Sequence, residues 1–315
     1  MAYGYNIANM LPLSLRQLQV FESVARNLNH SRAADELFLS QPAVSMQIKQ
    51  AEQTIGMPLF EQVGKKLFLT EAGREMLHYS RSVIMLMQEM ESVFDEMKGL
   101  EYGHLNISVV STANYFMPQI LAKFIHAHPK IKVSLSVANR DAVIKQLAEN
   151  VADLSIMGQP PEGTDMIAVP FMQNPLVVIA APTHPLAHAT KIQPRQLSNE
   201  TFLLREQGSG TRGVVERFFT SHRLPLPSHM SMGTNEAIKQ SVQAGLGLGI
   251  ISLHGIELEL ETKRLVVLDV VHFPIVRHWY IVQRKDKRHS AAAQEFDRFL
   301  LSAAQETSHL MPPLT

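Results

Sequence analysis

From Thr70 to Lys98 the chain has no proline and a single glycine, Gly73, while Met76, Ser80, Val83, Met87, Met90, Phe94 and Met97 alternate at spacings of four and three. This heptad pattern predicts one helix on the order of 40 Å long, at about 1.5 Å per residue, with an apolar stripe down one side. A rod of that length outreaches the short segment before it. The rod therefore divides the chain into a small N-terminal part and a larger C-terminal one. The stripe needs a partner, and a second copy of the same helix suits its length better than the chain's own body. Its methionines point to adaptable packing rather than a rigid zipper.

Residues 14–73 read as two helical patterns joined by a tight turn, followed by a further helix and a basic hairpin. Leu18, Phe21, Val24 and Ala25 fall at helical spacing, and Ala33, Ala34 and Leu37 repeat this on a shorter helix, where small Ala33 and Ala34 let two helices cross closely. Ser40 suits an N-cap with Pro42 in the first turn, ahead of a helix whose Val44, Ile48, Ala51 and Ile55 face inward. Its other face carries Gln41, Ser45, Gln47 and Lys49. Glutamine can bond an adenine edge in the major groove, while serine and lysine suit phosphates and sugars. With a Gly64-Lys65-Lys66 hairpin tip beyond it, the segment has the layout of a winged helix-turn-helix that reads DNA.

The whole chain narrows the alternatives. Its 315 residues hold 29 Lys plus Arg and 29 Asp plus Glu, so no overall basic excess draws it to nucleic acid and DNA affinity must come from local placement and multivalency. With no cysteine there is no disulfide framework, thiolate metal site, thiol redox sensor or cysteine nucleophile. The 14 histidines show no metal-binding spacing, so no metal is expected. No window reaches the roughly 18 apolar residues of a membrane span, and the N-terminus lacks a signal-peptide pattern, so a cytoplasmic location is the expectation.

Beyond a break at Gly99-Leu100-Glu101-Tyr102-Gly103 the periodicity changes to alternating strand and helix. Strands are expected at 104–110, 132–138 and 153–157, with helices at 117–128 and 141–150; this βαβαβ order implies a parallel sheet covered by helices. A second lobe is expected from Met166, with strands at 176–180, 201–204 and 248–252 and helices at 211–223 and 234–244. A strand at 279–283 then leads to a last helix at 290–305. Open α/β sheets bind ligands at the carboxyl ends of strands, where helix N-termini present free N–H groups. Three such junctions are readable: Ser111-Thr112-Ala113-Asn114; Arg205 to Arg212 with Gly208, Ser209, Gly210 and Thr211; and Thr234-Asn235. Glycines that let backbone amides approach, together with two arginines, favour an anion there. Gly245-Leu246-Gly247-Leu248-Gly249 has the wrong spacing for a dinucleotide fingerprint and precedes a strand rather than following one, so it reads as a helix C-cap. Ser209 has no acid or histidine that the sequence places beside it, so no catalytic residues are expected.

The N-terminal segment resembles the LysR-type transcriptional regulators. The match runs through Ser31-Arg32-Ala33-Ala34, Ser40-Gln41-Pro42-Ala43-Val44-Ser45, Gly56, Leu59-Phe60-Glu61 and Leu69-Thr70-Glu71-Ala72-Gly73. Met46 and Gln62 depart from it, each at a position where the family often carries a basic residue. The resemblance implies base readout by Gln41, Pro42, Ala43 and Ser45 and backbone anchoring by Arg32, Lys49, Lys65 and Lys66, with Ser40 and Gln47 also on the interface.

It further implies an N-terminal all-α winged helix-turn-helix (1–70), a linker helix (71–98) making an antiparallel-type dimer contact, and a hinge (99–103). A two-lobed, periplasmic-binding-protein-like α/β effector domain (104–307) and a tail (308–315) would follow. Implied partners are double-stranded operator DNA with dyad symmetry, a second copy in a homodimer or homotetramer, RNA polymerase and a small-molecule effector, with no cofactor. The stretches Thr201 to Arg212, Asn235 to Gln240 and Ser252-Leu253-His254 are similar to the CbbR subgroup, which activates RuBisCO and Calvin-cycle operons. That similarity implies a phosphorylated metabolite or NADPH as effector, touched by Ser111, Thr112, Asn114, Arg205, Gly208, Ser209, Gly210, Thr211, Arg212 and Asn235. Part of the Arg205 to Arg212 stretch also recurs in regulators of sulfur and nitrogen assimilation, which leaves another pathway as the alternative; a solute-binding protein would leave the DNA-reading segment without a use.

Overall fold

The computed structural model describes residues 11–97, 103–161, 165–287 and 289–307. The chain forms two compact units, 1–94 and 95–315, which divide near the end of the long helix.

The first unit is built from caps inward. Ser14 opens α1 (Leu15–Asn27) with a capping box: its Oγ accepts from the Gln17 amide and its own amide donates to Gln17 Oε1. Asn29 caps α2 (His30–Leu37), accepting from the amides of Ser31 and Arg32. Ser40 caps α3 (Gln41–Ile55), its Oγ accepting from the Ala43 amide at 3.3 Å with Pro42 in the first turn, as the sequence indicates. Val20, Phe21 and Val24 of α1, Ala33 and Ala34 of α2, and Val44, Ile48 and Ala51 of α3 close one core. The hairpin of β1 (Phe60–Val63) and β2 (Lys66–Leu69) pairs Val63 with Lys66 across a Gly64-Lys65 turn. Glu52 on α3 accepts from the Leu59 amide at 2.8 Å, which fixes the base of this wing to α3.

Thr70 starts α4 (Glu71–Met97), accepting from the Gly73 amide at 3.0 Å. The heptad stripe has two fates. Met76 and Leu77 pack on the unit's own core and Ser80 is buried, whereas Val83, Leu86, Met90 and Phe94 are exposed. The expected helix break lies outside the described residues except for Gly103, and so does the expected tail.

The second unit holds two five-stranded sheets. The first runs in the order β4 (Ile131–Ala138), β3 (Gly103–Val110), β5 (Leu154–Met157), β12 (His278–Arg284), β6 (Met166–Gln173), covered by α5 (Met117–Ala127), α6 (Arg140–Ala148) and α11 (Ala291–Thr307). Its β3, β4 and β5 are parallel as expected, but β12 lies antiparallel between β5 and β6, so the sheet is mixed. The second runs β11 (Val266–Val267), β7 (Leu176–Ala180), β10 (Leu248–Ser252), β8 (Phe202–Arg205), β9 (His229–Met232), packed against α8 (Gly210–Ser221) and α9 (Asn235–Gln243). Short helices α7 (Pro194–Leu197) and α10 (Glu257–Glu261) complete it.

The second lobe starts at Leu176 rather than Met166. Strand β6 pairs along its whole length with β12 and belongs to the first sheet. The chain passes between lobes twice, at 173–176 and 275–278, and the two passes bond to each other: the Asn174 amide donates to the Arg277 carbonyl at 2.6 Å, and Leu176 and Ile275 exchange both backbone bonds at 3.0 Å. Gly245 and Gly247 sit between α9 and β10, as a helix end entering a buried strand requires. No helix among the described residues is long and apolar enough to cross a membrane.

Candidate functional site

Two sites emerge, one in each unit. In the first, most of the residues expected to meet DNA are exposed. Arg32, Ser40, Gln41, Pro42, Lys49, Lys65 and Lys66 are exposed, and Ala43, Ser45 and Gln47 are half-buried on α3. Gln41 Nε2 donates to Ser45 Oγ at 2.9 Å, one helical turn away. The two side chains thus hold one another in place, and each can exchange this bond for another polar partner.

In the second unit the carboxyl ends of β3 and β8 meet across the lobes. Ser111 and Thr112 follow β3 in a short 3-10 turn, and Arg205 ends β8. The buried Arg205 guanidinium is fully engaged. Its Nη1 donates to Asn235 Oδ1 at 2.7 Å and its Nη2 to Ser111 Oγ at 3.1 Å, while Nε and Nη2 fork onto Glu206. Asn235 Nδ2 in turn donates to Thr112 Oγ1 at 3.1 Å. Arg205 and Asn235 therefore clasp the lobes together. Arg212 is tied to its own lobe: it donates to Glu216 Oε1 at 2.8 Å and to the Arg205 carbonyl at 3.1 Å.

The cleft has an inner chamber of about 20 Å³, lined by Ser111, Thr112, Arg140, Gly158, Arg205, Ser209, Gly210, Thr211, Arg277 and Trp279 among others. It continues into an outer groove of about 210 Å³ bounded by Arg140, Gln159, Gly208, Arg212 and Arg217. Gly208 stands at φ +81°, a left-handed backbone that favours glycine, and faces the Asp141 side chain of the first lobe. Asn114 is exposed and outside both linings.

The sequence reading passed over Arg277. Its Nη2 donates to Thr211 Oγ1 at 3.2 Å, its Nε is buried without a partner, and among the described residues no carboxylate lies within ion-pair distance. Burial, with the nearby Arg217 charge as a lesser cause, pushes its pKa down to about 10, so it remains a cation at neutral pH. A Cβ on Gly158 would lie 3.2 Å from the Arg277 Cζ, so the first lobe's backbone closes directly over the guanidinium. Trp279 Nε1 and Asn174 Nδ2 are likewise buried without acceptors. Arg277 and Trp279 line the chamber, and their two unpartnered donors, one of them charged, suit an acceptor-rich, negatively charged group.

Residues 15–74 match the bacterial regulatory helix-turn-helix of the lysR family, and residues 98–305 match the LysR substrate binding domain. The chain belongs to the LysR family. This LysR-type regulator is 52% identical over 93% of its length to the RuBisCO operon transcriptional regulator of Allochromatium vinosum, covering 97% of that protein. It is 44% identical to the transcriptional regulator CbbR of Rhodospirillum rubrum, over 93% of this chain and 98% of that one. Among solved structures, the regulatory domain of CcmR from Synechocystis PCC6803, in complex with 2-PG, superposes with a TM-score of 0.62 at 39% identity, covering 64% of this chain and 97% of that one. The winged helix-turn-helix and two-lobed α/β architecture is thus that of the family.

Proposed function

We propose that this LysR-type regulator controls a carbon-fixation operon in response to a small anionic metabolite held between the lobes of its second unit. The regulon rests on the identity to the two relatives, each carried over nearly the full chain. The effector class rests on one observation, the buried Arg277 guanidinium with no carboxylate partner. An uncompensated buried cation is costly, so the chamber favours an anion over a neutral sugar or an aromatic compound. Hydroxyls of Ser111, Thr112, Ser209 and Thr211 and the amides at the start of α8 supply the remaining donors. Arg205 and Asn235 are bonded to one another and position these groups, and Arg212 borders the outer groove.

The inner chamber has room for about one water, so a metabolite reaches Arg277 by parting the lobes and extending into the outer groove. Its effect on transcription then comes from differential affinity for two lobe arrangements. Base readout falls to Gln41, Pro42, Ala43 and Ser45, and phosphate anchoring to Arg32, Lys49, Lys65 and Lys66. The exposed part of α4 pairs with a second copy, giving a dimer or tetramer on operator DNA with dyad symmetry, where it meets RNA polymerase.

Calorimetry with 2-PG, ribulose 1,5-bisphosphate and NADPH tests the effector class. At least one should bind below millimolar concentration, and Arg277→Gln should weaken it about tenfold or more. Binding only of an uncharged compound would overturn the reading. On DNA from the intergenic region ahead of the RuBisCO genes, Gln41→Ala should cost about 1–3 kcal/mol and almost nothing on random DNA, whereas Lys65→Ala should weaken both.

A further inference from the structure

The buried stripe of α3 is Val44, Ile48 and Ala51. At about 100° per residue, the side chains diametrically opposite are Pro42, Met46, Lys49 and Gln53, all exposed, while Gln41 and Ser45 lie to one flank. The centre of the outward arc is therefore apolar over its first two turns. Met46 is 54% exposed, and Phe38, on the turn leading into α3, is 96% exposed. Exposed apolar side chains scattered singly need no explanation, but these lie on or beside the outward face of α3, the helix proposed above to read DNA. The major groove offers one apolar group, the 5-methyl of thymine. Met46 stands where the family often carries a basic residue, and its flexible thioether can follow a methyl without demanding one hydrogen-bond geometry.

We propose that Pro42 and Met46 read thymine 5-methyl groups in the operator half-site, so that α3 selects T at the positions facing them. This rests on α3 being the recognition helix, and the test separates the two. The full-length protein is used to enrich its preferred duplex from a random pool, and the enriched site is resynthesised with deoxyuridine in place of each thymidine in turn. At one or two positions per half-site the loss of the methyl should weaken binding about fourfold. In Met46→Ala, which alters an exposed side chain, the T-over-U preference at one of these positions should vanish with an unchanged salt dependence. Met46→Arg should shift that position toward guanine and steepen the salt dependence by about one phosphate. A site that enriches yet tolerates deoxyuridine everywhere, or the same penalty in wild type and Met46→Ala, would overturn the proposal. A pool that enriches no sequence would overturn the recognition-helix reading and the proposal with it.

Discussion

Three arginines of the second unit show how one residue type is put to different uses by its neighbours. Arg205 is neutralised by Glu206 and joins the lobes, Arg212 braces its own lobe, and Arg277 waits beside the chamber without a counter-charge. Arg212→Ala should lower stability by about 1–2 kcal/mol, because a charge-assisted bond to a main-chain carbonyl is lost, and cost less effector affinity than loss of the Arg277 charge. Arg277→Gln should do the reverse, leaving the urea midpoint equal or higher while effector affinity falls, since a buried unpaired charge is removed. Parallel urea titrations and calorimetry on the two variants check the contrast. The glycine turn and the two arginines near it were legible in the sequence, because turn chemistry and helix starts are local. The direction in which each guanidinium points was not, since it depends on Glu216 in one case and on a residue ninety positions earlier in the other. Arg277 gave no signal at all, for it lies in a crossing segment between sheets where no periodicity marks a burial side.

At the scale of elements, α4 carries the clearest expectation. Four large apolar side chains, Val83, Leu86, Met90 and Phe94, stand in water along one helix, and burying each is worth about 1.5–3 kcal/mol. Aspartate at Met87 and Met90 should place unpaired charge in that seam and yield monomers by sedimentation, with operator affinity falling as bivalent binding is lost. A double variant that stays dimeric would move the association surface to the second unit. The sequence showed α3, with its cap and buried stripe, and both central strands Leu176–Ala180 and Leu248–Ser252 to the residue. It misplaced β6, because Met166–Gln173 has an edge strand's mostly exposed pattern and only pairing with β12, more than a hundred residues later, assigns it to a sheet.

For the molecule as a whole, the two lobes also share an aromatic contact. The His254 ring, from the second lobe, lies 5.8 Å from Phe116 and 6.5 Å from Trp279 of the first. Burial holds its pKa down at about 4, against 6.5 when exposed. The folded state therefore binds fewer protons than the unfolded state between those values, so stability should be full above about pH 6.5 and decline on acidification toward pH 4. The largest loss is ~3 kcal/mol. Denaturant unfolding across this range should show the decline in wild type and a shallower one in His254→Gln; identical slopes would assign the acid sensitivity elsewhere.

Arg277 belongs to a segment that passes between the lobes, and its carbonyl is bonded to the other pass. On the proposed reading, the contact that senses the metabolite and the tether that joins the lobes are thus one piece of backbone. Any constraint on that tether is then also a constraint on the ligand. By reciprocity, if the metabolite changes affinity for the operator by some factor, the operator must change affinity for the metabolite by that same factor. The promoter is then an effector of the regulator in the full thermodynamic sense. A protein bound at its operator and one free in solution would report different concentrations of the same metabolite.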